Sequence, residues 1–185
     1  MDPAQSTSQS ATAPIELTPV GIIRNAIAKP FLMPGKHGIT MDGEFERVKS
    51  DLHKFRQEIS TITINPELID CLDGIENYSH LTILYWADRV PQESRAVTRV
   101  HPMGRKEIPE QGIFSTASPV RPNPVLMTVV KLVERNGNVL KVEGLDAVDK
   151  SPVIDIKPFV RRFFPEGEVQ VPEWMDRIME EVNES

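Results

Sequence analysis

Short apolar runs separated by turn residues fill most of the chain, and only two stretches carry a helical repeat. Phe45, Val48, Leu52, Phe55 and Ile59 recur at steps of three and four, the spacing that lines one face of a helix. Asp42 is placed to cap that helix, and charged residues occupy its other face. Trp174, Ile178 and Val182 repeat the spacing behind Pro172, so Pro172 to Val182 reads as a C-terminal helix with proline near its first turn. Stripes of this kind pack on a core more often than they form a binding groove.

The remaining runs have strand character. Pro14 to Arg24 reads as a first strand carrying Ile15, Leu17, Val20, Ile22 and Ile23. Lys29 to Gly38, with two prolines and two glycines, reads as a loop. Ile59 to Ile64 mixes Ile with Ser and Thr, the pattern of a half-buried strand. Pro66 to Leu72 reads as a short helix, Leu81 to Trp86 as a strand apolar on both faces, and Arg95 to Val100 and Gln111 to Ser115 as weaker strands. Val125 to Arg135 and Asn138 to Val142 flank Asn136-Gly137, a strong hairpin signal, and Ser151 to Ile156 gives a last strand. Many short strands with few helices predict a mainly β fold: a small closed β-barrel with one or two peripheral helices. The expected division is a disordered tail over 1–13, a barrel domain over 14–165 and a helical tail over 166–185.

Composition narrows the chemistry. No apolar run approaches the roughly 20 residues of a membrane span, and the Ser-, Thr-, Ala- and Gln-rich start lacks the basic and apolar regions of a secretory signal. Cys71 is the only cysteine, which excludes an internal disulfide and fits a cytoplasmic setting. A net charge of −6 weighs against a generic nucleic-acid binder, since such binding is mostly phosphate neutralisation. A local basic face is still available: Arg89, Arg95, Arg99, Arg105, Lys106 and Arg121 lie in a stretch whose acidic residues are only Glu93, Glu107 and Glu110. The alternative is a solvated rim. His37, His53, His80 and His101 show no metal-ligand spacing. The absence of a G-x-G-x-x-G after a strand argues against a Rossmann cofactor site, and there is no phosphate loop or G-x-S-x-G elbow.

Three stretches carry candidate chemistry. Phe114 to Pro124 interleaves Ser115, Thr116, Ser118 and Asn123 with three prolines that fix the backbone, with Arg121 projecting from that frame. Leu145 to Phe159 brings Asp146, Asp149 and Asp155 near Lys150 and Lys157. Asp155 and Lys157, two apart in an extended segment, share one face and read as a structural ion pair. Carboxylates at Asp146 and Asp149 suit a ligand's hydroxyls or amino groups. Gly74 to Arg89 ends its apolar strand on Asp88-Arg89, where the mouth of a barrel would lie, a common place for ligands.

Five segments, in order, resemble the TrmO (TsaA-like) methyltransferase family: Val20-Gly-Ile-Ile-Arg24, Gly74-Ile-Glu-Asn-Tyr-Ser-His-Leu81, Gly112-Ile-Phe-Ser-Thr-Ala-Ser-Pro119, Arg121-Pro-Asn-Pro124 and Asp149-Lys-Ser-Pro-Val-Ile-Asp-Ile-Lys-Pro158. The resemblance spans roughly Pro19 to Val160, and R-P-N-P combined with D-I-K-P makes it specific. It implies a compact barrel that pairs as a homodimer, S-adenosyl-L-methionine (SAM) as methyl donor, and tRNA as acceptor, at the N6 nitrogen of threonylcarbamoyladenosine beside the anticodon. Carried over position by position, it implies cofactor contacts at Pro34, Gly35 and Lys36, at Asp88 and Arg89, at Ala117 and Val129, and along Leu145, Asp146, Ala147 and Val148. Arg121, Asn123, Asp155 and Lys157 match the motif residues themselves. Asp149 and Arg121 are the catalytic candidates. Arg95, Arg99, Arg105 and Lys106 are the candidates for phosphate contact, with Asn123 as a further substrate contact.

The chain departs from the pattern at three places. Ala117 stands where the family has Arg, Val125-Leu126 where it has Ile-Gly, and Lys150 where a D-G-T-P turn has Gly. An alanine supplies neither charge nor the fork of donors. These changes keep two other readings open: a methyltransferase for a small molecule or a protein, and a non-catalytic SAM-binding module.

Overall fold

A computed structural model describes residues 13–30, 32–35, 38–41 and 56–183. The strands are β1 (Gly21–Arg24), β2 (Leu32–Gly35), β3 (Gly38–Met41), β4 (Ile59–Ile64), β5 (His80–Trp86), β6 (Arg99–Val100), β7 (Gln111–Gly112), β8 (Val125–Asn136), β9 (Val139–Glu143) and β10 (Pro152–Pro158), followed by the helix α1 (Glu173–Asn183). Six strands close a barrel in the order β1-β10-β5-β8-β9-β4, and β1 returns to pair with β4. The pairings within it are antiparallel. The mainly β fold and the closed barrel expected from the strand pattern are both present.

Alternation fills the barrel. Ile23, Ile62, Ile64, Leu81, Ile83, Tyr85, Val130, Leu140, Val142 and Val153 point inward and are buried in one cluster, because successive side chains on a strand face opposite sides. Leu145 and Ala147 join that cluster from the segment after β9. Two positions need glycine. A Cβ on Gly21 would sit 2.5 Å from the Thr63 carbonyl oxygen, so only glycine lets β1 approach β4 this closely. Gly137, at φ 59°, turns the β8–β9 hairpin at the predicted place.

Several boundaries differ from the sequence expectation. The first strand is confined to Gly21–Arg24. Pro14 to Pro19 is exposed and unpaired as strand, and Ile15 stays 87% accessible. The expected loop from Lys29 contains the hairpin β2–β3, with Leu32 opposite Met41 and Gly35 opposite Gly38. Arg95 to Val100 is strand only at β6; Gln92–Ala96 forms a 3-10 turn that sets the Arg95 guanidinium 5.3 Å over the Trp86 ring. Gln111 to Ser115 likewise is strand only at β7 and then turns through Ile113–Ser115. The short helix at Pro66–Leu72 is present as a 3-10 helix. The helix expected from Phe45 falls on 42–55, outside the described residues, while Ile59 opens β4.

Helix α1 lies against the segment between β6 and β7. Ile178 and Val182 form a buried cluster with Ile108, flanked by Met103 and Trp174, and Arg105 joins Glu181 while its Nε lies 2.6 Å from Glu107. That guanidinium holds the Glu107 carboxyl below its ordinary range, chiefly by hydrogen bonding. Ile178→Ala should cost about 2–3 kcal/mol of local docking and speed proteolysis of the exposed stretch 165–172, leaving barrel amides protected from hydrogen exchange. Equal loss of protection in β5 and α1 would contradict this separation. Lys150, at the turn into β10, has φ 71°, a left-handed geometry that costs a side-chain-bearing residue about 1–2 kcal/mol. Lys150→Gly should therefore raise stability by about 1 kcal/mol, read as a shift in the urea midpoint at unchanged slope.

Candidate functional site

Three of the chemically suspect segments meet at the end of the barrel where β5 finishes. Trp86 pairs with Val125, and the Ala87 N–H donates to the Pro124 carbonyl at 2.9 Å, which fastens the turn carrying Asp88 and Arg89 to the R-P-N-P segment. On its other side Arg89 donates to the Asp149 carbonyl at 3.0 Å and to the Ala28 carbonyl. The loop after β1 completes the assembly. Asn25 folds an Asx turn by accepting the Ile27 N–H at 3.0 Å, and its amide donates to the Ala147 carbonyl at 2.8 Å and to Ser60 Oγ at 3.2 Å. Asp149 accepts the Asn25 N–H at 3.2 Å, and its own N–H donates to the Ile27 carbonyl at 2.8 Å. Arg24 lies 3.9 Å from Asp149. Asp149 is thus tied by backbone and side chain alike and holds two loops together.

Asp146 sits between the buried Leu145 and Ala147 and is itself exposed. Tyr85, inside the barrel, donates its hydroxyl to Asp146 Oδ1 at 2.9 Å, and Thr128 donates to the same oxygen. Burial first, and then the nearby Asp146 charge, hold the Tyr85 phenol far above its ordinary value of 10, so it is a neutral donor at neutral pH.

The other predicted residues are placed as follows. Arg121 does not project freely: its Nη2 turns back to the Thr116 carbonyl at 3.3 Å, while Thr116 and Ser118 make further local bonds that stiffen the loop. Ala117 and Asn123 are exposed on that loop, and Phe114 is 81% accessible. Val129 points out of the barrel opposite Thr82, on the other face from Thr128. Pro34 and Gly35 lie in the β2–β3 hairpin, which packs through β3 on Pro102–Gly104 and β6; Lys36 is outside the described residues. Val148 accepts the Ser151 N–H at 3.1 Å in the turn before β10. Asp155 and Lys157 form the expected ion pair at 2.5 Å.

In the basic stretch, Arg95 stacks on Trp86, Arg99 bonds the Glu110 carbonyl at 2.9 Å, and Arg105 is held by Glu107 and Glu181. Lys106 is exposed and has no ion pair among the described residues. Asn25, Ser60, Tyr85 and Thr128 went unremarked in the sequence. A signal existed for two of them: an Asn directly after a strand is a turn-former, and a phenol in an otherwise aliphatic inward row requires a partner. No group of three or more potential metal ligands occurs among the described residues, and none of the described helices is long and apolar enough to cross a membrane.

A shallow groove of about 290 Å³ runs beside this end of the barrel, lined by Ile15, Leu17, Pro19, Trp86, Pro152 and Ile154. Its lining is apolar, so it supplies shape rather than polar recognition.

Known proteins share this architecture. A "Probable S-adenosyl-L-methionine-binding protein" of Methanothermobacter thermautotrophicus is 39% identical over 145 residues, 78% of this chain and 90% of that protein. The tRNA (adenine(37)-N6)-methyltransferase of Escherichia coli is 31% identical over 147 residues, 76% of this chain but 56% of the enzyme. The crystal structure of TrmO from Pseudomonas aeruginosa superposes with a TM-score of 0.64 at 21% identity, covering 90% of this chain and 64% of that one. The chain therefore spans between half and two thirds of those two longer proteins. The family model described as the tRNA-methyltransferase O N-terminal domain matches residues 49–163, from before β4 to the turn after β10. The chain belongs to the tRNA-methyltransferase O N-terminal domain family, a family of SAM-dependent methyltransferases.

Proposed function

We propose that this protein transfers a methyl group from SAM to the N6 nitrogen of threonylcarbamoyladenosine in tRNA, beside the anticodon. The observation that carries the reading is the convergence of Asp88-Arg89, the R-P-N-P loop and Leu145–Asp149 at one barrel end, in a member of this family. The donor set fits the cofactor. The exposed Asp146 carboxylate is an acceptor for hydroxyl and amino groups, and the Asn25–Arg89–Asp149 ties keep the surrounding backbone fixed. SAM, when bound, would supply a methyl group on a sulfonium, whose carbon the acceptor nitrogen would attack in line while the thioether S-adenosylhomocysteine leaves. The protein's part is alignment, in which small misplacements lower rate steeply. Asp88 and Asp146 are the carboxylates with acceptor capacity left to receive the proton that the nitrogen loses, since Asp149 is engaged by Asn25 and Arg24.

A second reading, a smaller acceptor or SAM binding alone, is favoured by Ala117 in place of the family's arginine and by the internal engagement of Arg95, Arg99 and Arg105. Incubation with methyl-labelled SAM and total tRNA should place label in the RNA. Arg89→Ala should reduce that transfer by about 100-fold through loss of its bridge between loops. Label appearing only in an RNA-free small-molecule extract would overturn the tRNA assignment.

We further propose that the protein acts as a homodimer through the outer face of β8, where Met127, Val129 and Val133 are 60%, 39% and 49% accessible. Apolar side chains grouped in this way favour association. Sedimentation should give twice the monomer mass, and Met127→Glu with Val129→Glu should give the monomer. A monomeric parent protein would reject this pairing.

A further inference from the structure

The inward face of the barrel contains a hydroxyl pair whose arrangement is unlike the aliphatic packing around it. Ile83 on β5 is directly opposite Thr128 on β8, and Tyr85 is opposite Leu126. Tyr85 and Thr128 are therefore diagonal neighbours on one face, close enough for both to reach the same target. That target is Asp146 Oδ1, which accepts from Tyr85 at 2.9 Å and also from Thr128. Leu145 and Ala147, each 1% accessible, anchor the backbone on either side. The carboxylate is thus fixed at one oxygen, while Oδ2 has no hydrogen-bond or ion-pair partner among the described residues. An anion this well oriented and lacking a cation has unused acceptor capacity at the mouth of the barrel.

We infer that Tyr85 and Thr128 are positioning residues that clamp one oxygen of Asp146 so that the other accepts a hydroxyl or ammonium donor of the bound cofactor. The inference rests on the SAM reading above and adds two residues to it. Neither hydroxyl touches the cofactor; both act through the carboxylate. The arrangement uses two neutral donors rather than an arginine, which leaves the Asp146 charge intact for the ligand.

Calorimetric titration of the whole protein with SAM tests the clamp. Thr128→Val, which removes the hydroxyl at constant shape, and Tyr85→Phe should each weaken SAM binding by roughly 5- to 20-fold. Thr128→Ser, which retains the hydroxyl, should bind close to the parent. Combined with Asp146→Asn, neither substitution should weaken binding beyond Asp146→Asn alone, because the three groups act as one unit. Unchanged affinity in Thr128→Val and Tyr85→Phe, or effects that add to that of Asp146→Asn, would overturn the clamp while leaving SAM binding in place. Failure of the parent protein to bind SAM would instead overturn the cofactor reading, and the clamp's ligand role with it.

A ligand-free measurement checks the geometry separately. The chain has two tyrosines, Tyr78 and Tyr85. In a Tyr78→Phe background, phenolate absorbance should report Tyr85 ionising above the ordinary tyrosine range, and Asp146→Asn should bring it down. The folded phenol binds its proton more tightly than the unfolded one, so this group's contribution is complete below pH 10 and falls as pH rises above it. A Tyr85 titration indifferent to Asp146→Asn would show that the hydroxyl and the carboxylate are not paired.

Discussion

Ring closure through β1 is the constraint on which the other features depend. This strand is four residues long, yet it joins β10 on one side and β4 on the other. Without it the sheet would have two open edges, each with unpaired backbone groups. The approach to β4 is possible because Gly21 presents no Cβ to the Thr63 carbonyl. The loop that leaves β1 carries Asn25, which reaches Ser60 and Ala147. Closure of the barrel and construction of the site therefore use the same few residues, although β1 precedes the 49–163 range matched by the family model.

Polar groups at this end divide into those consumed by structure and those left for a ligand. Asp149 spends its side chain and its backbone on neighbouring loops. Arg121, although it lies in the R-P-N-P motif, folds onto carbonyls of its own loop. Asp146 differs, since one oxygen is held and the other is available. Buried polar groups normally find partners, so a motif residue's presence in a sequence pattern does not reveal whether its capacity is free. That distinction depends on which carbonyls and hydroxyls the fold brings within reach.

The barrel was legible because its signals are local. Asn136-Gly137 marked the hairpin, and the inward row of β9 follows simple alternation, while β5 is apolar on both faces. The β2–β3 hairpin was not legible, because Pro and Gly at its centre are equally the composition of a loop. Ile15 and Leu17 alternate as a strand should but have no partner strand, and nothing in a sequence reports the partner. In β4 the inward position is Ser60, while Ile59 faces out at 45% accessibility. Hydropathy alone would reverse these two; the Asn25 hydrogen bond explains the buried serine. The segments that meet at this barrel end carry motifs a sequence shows, but the convergence of Tyr85 and Thr128 on Asp146 depends on the register of two strands distant in sequence.

The irregularity in β10 decides which way every residue after it faces. Val153 lies opposite Tyr85 and Asp155 opposite Leu84, with the extra residue Ile154 between them. Were the same sequence paired without the bulge, Ile154 would stand opposite Leu84, and Asp155 and Lys157 would face the oily interior with Ile156 facing water. The additional residue acts as a half-step that resets the parity of everything after it, so that the paired charges stay wet and Ile156 meets the core. Removal of Ile154 would leave Asp155 opposite Leu84 and the facing of the D-I-K-P signature unchanged, whereas drawing Ile154 into the ladder would turn that signature inside out.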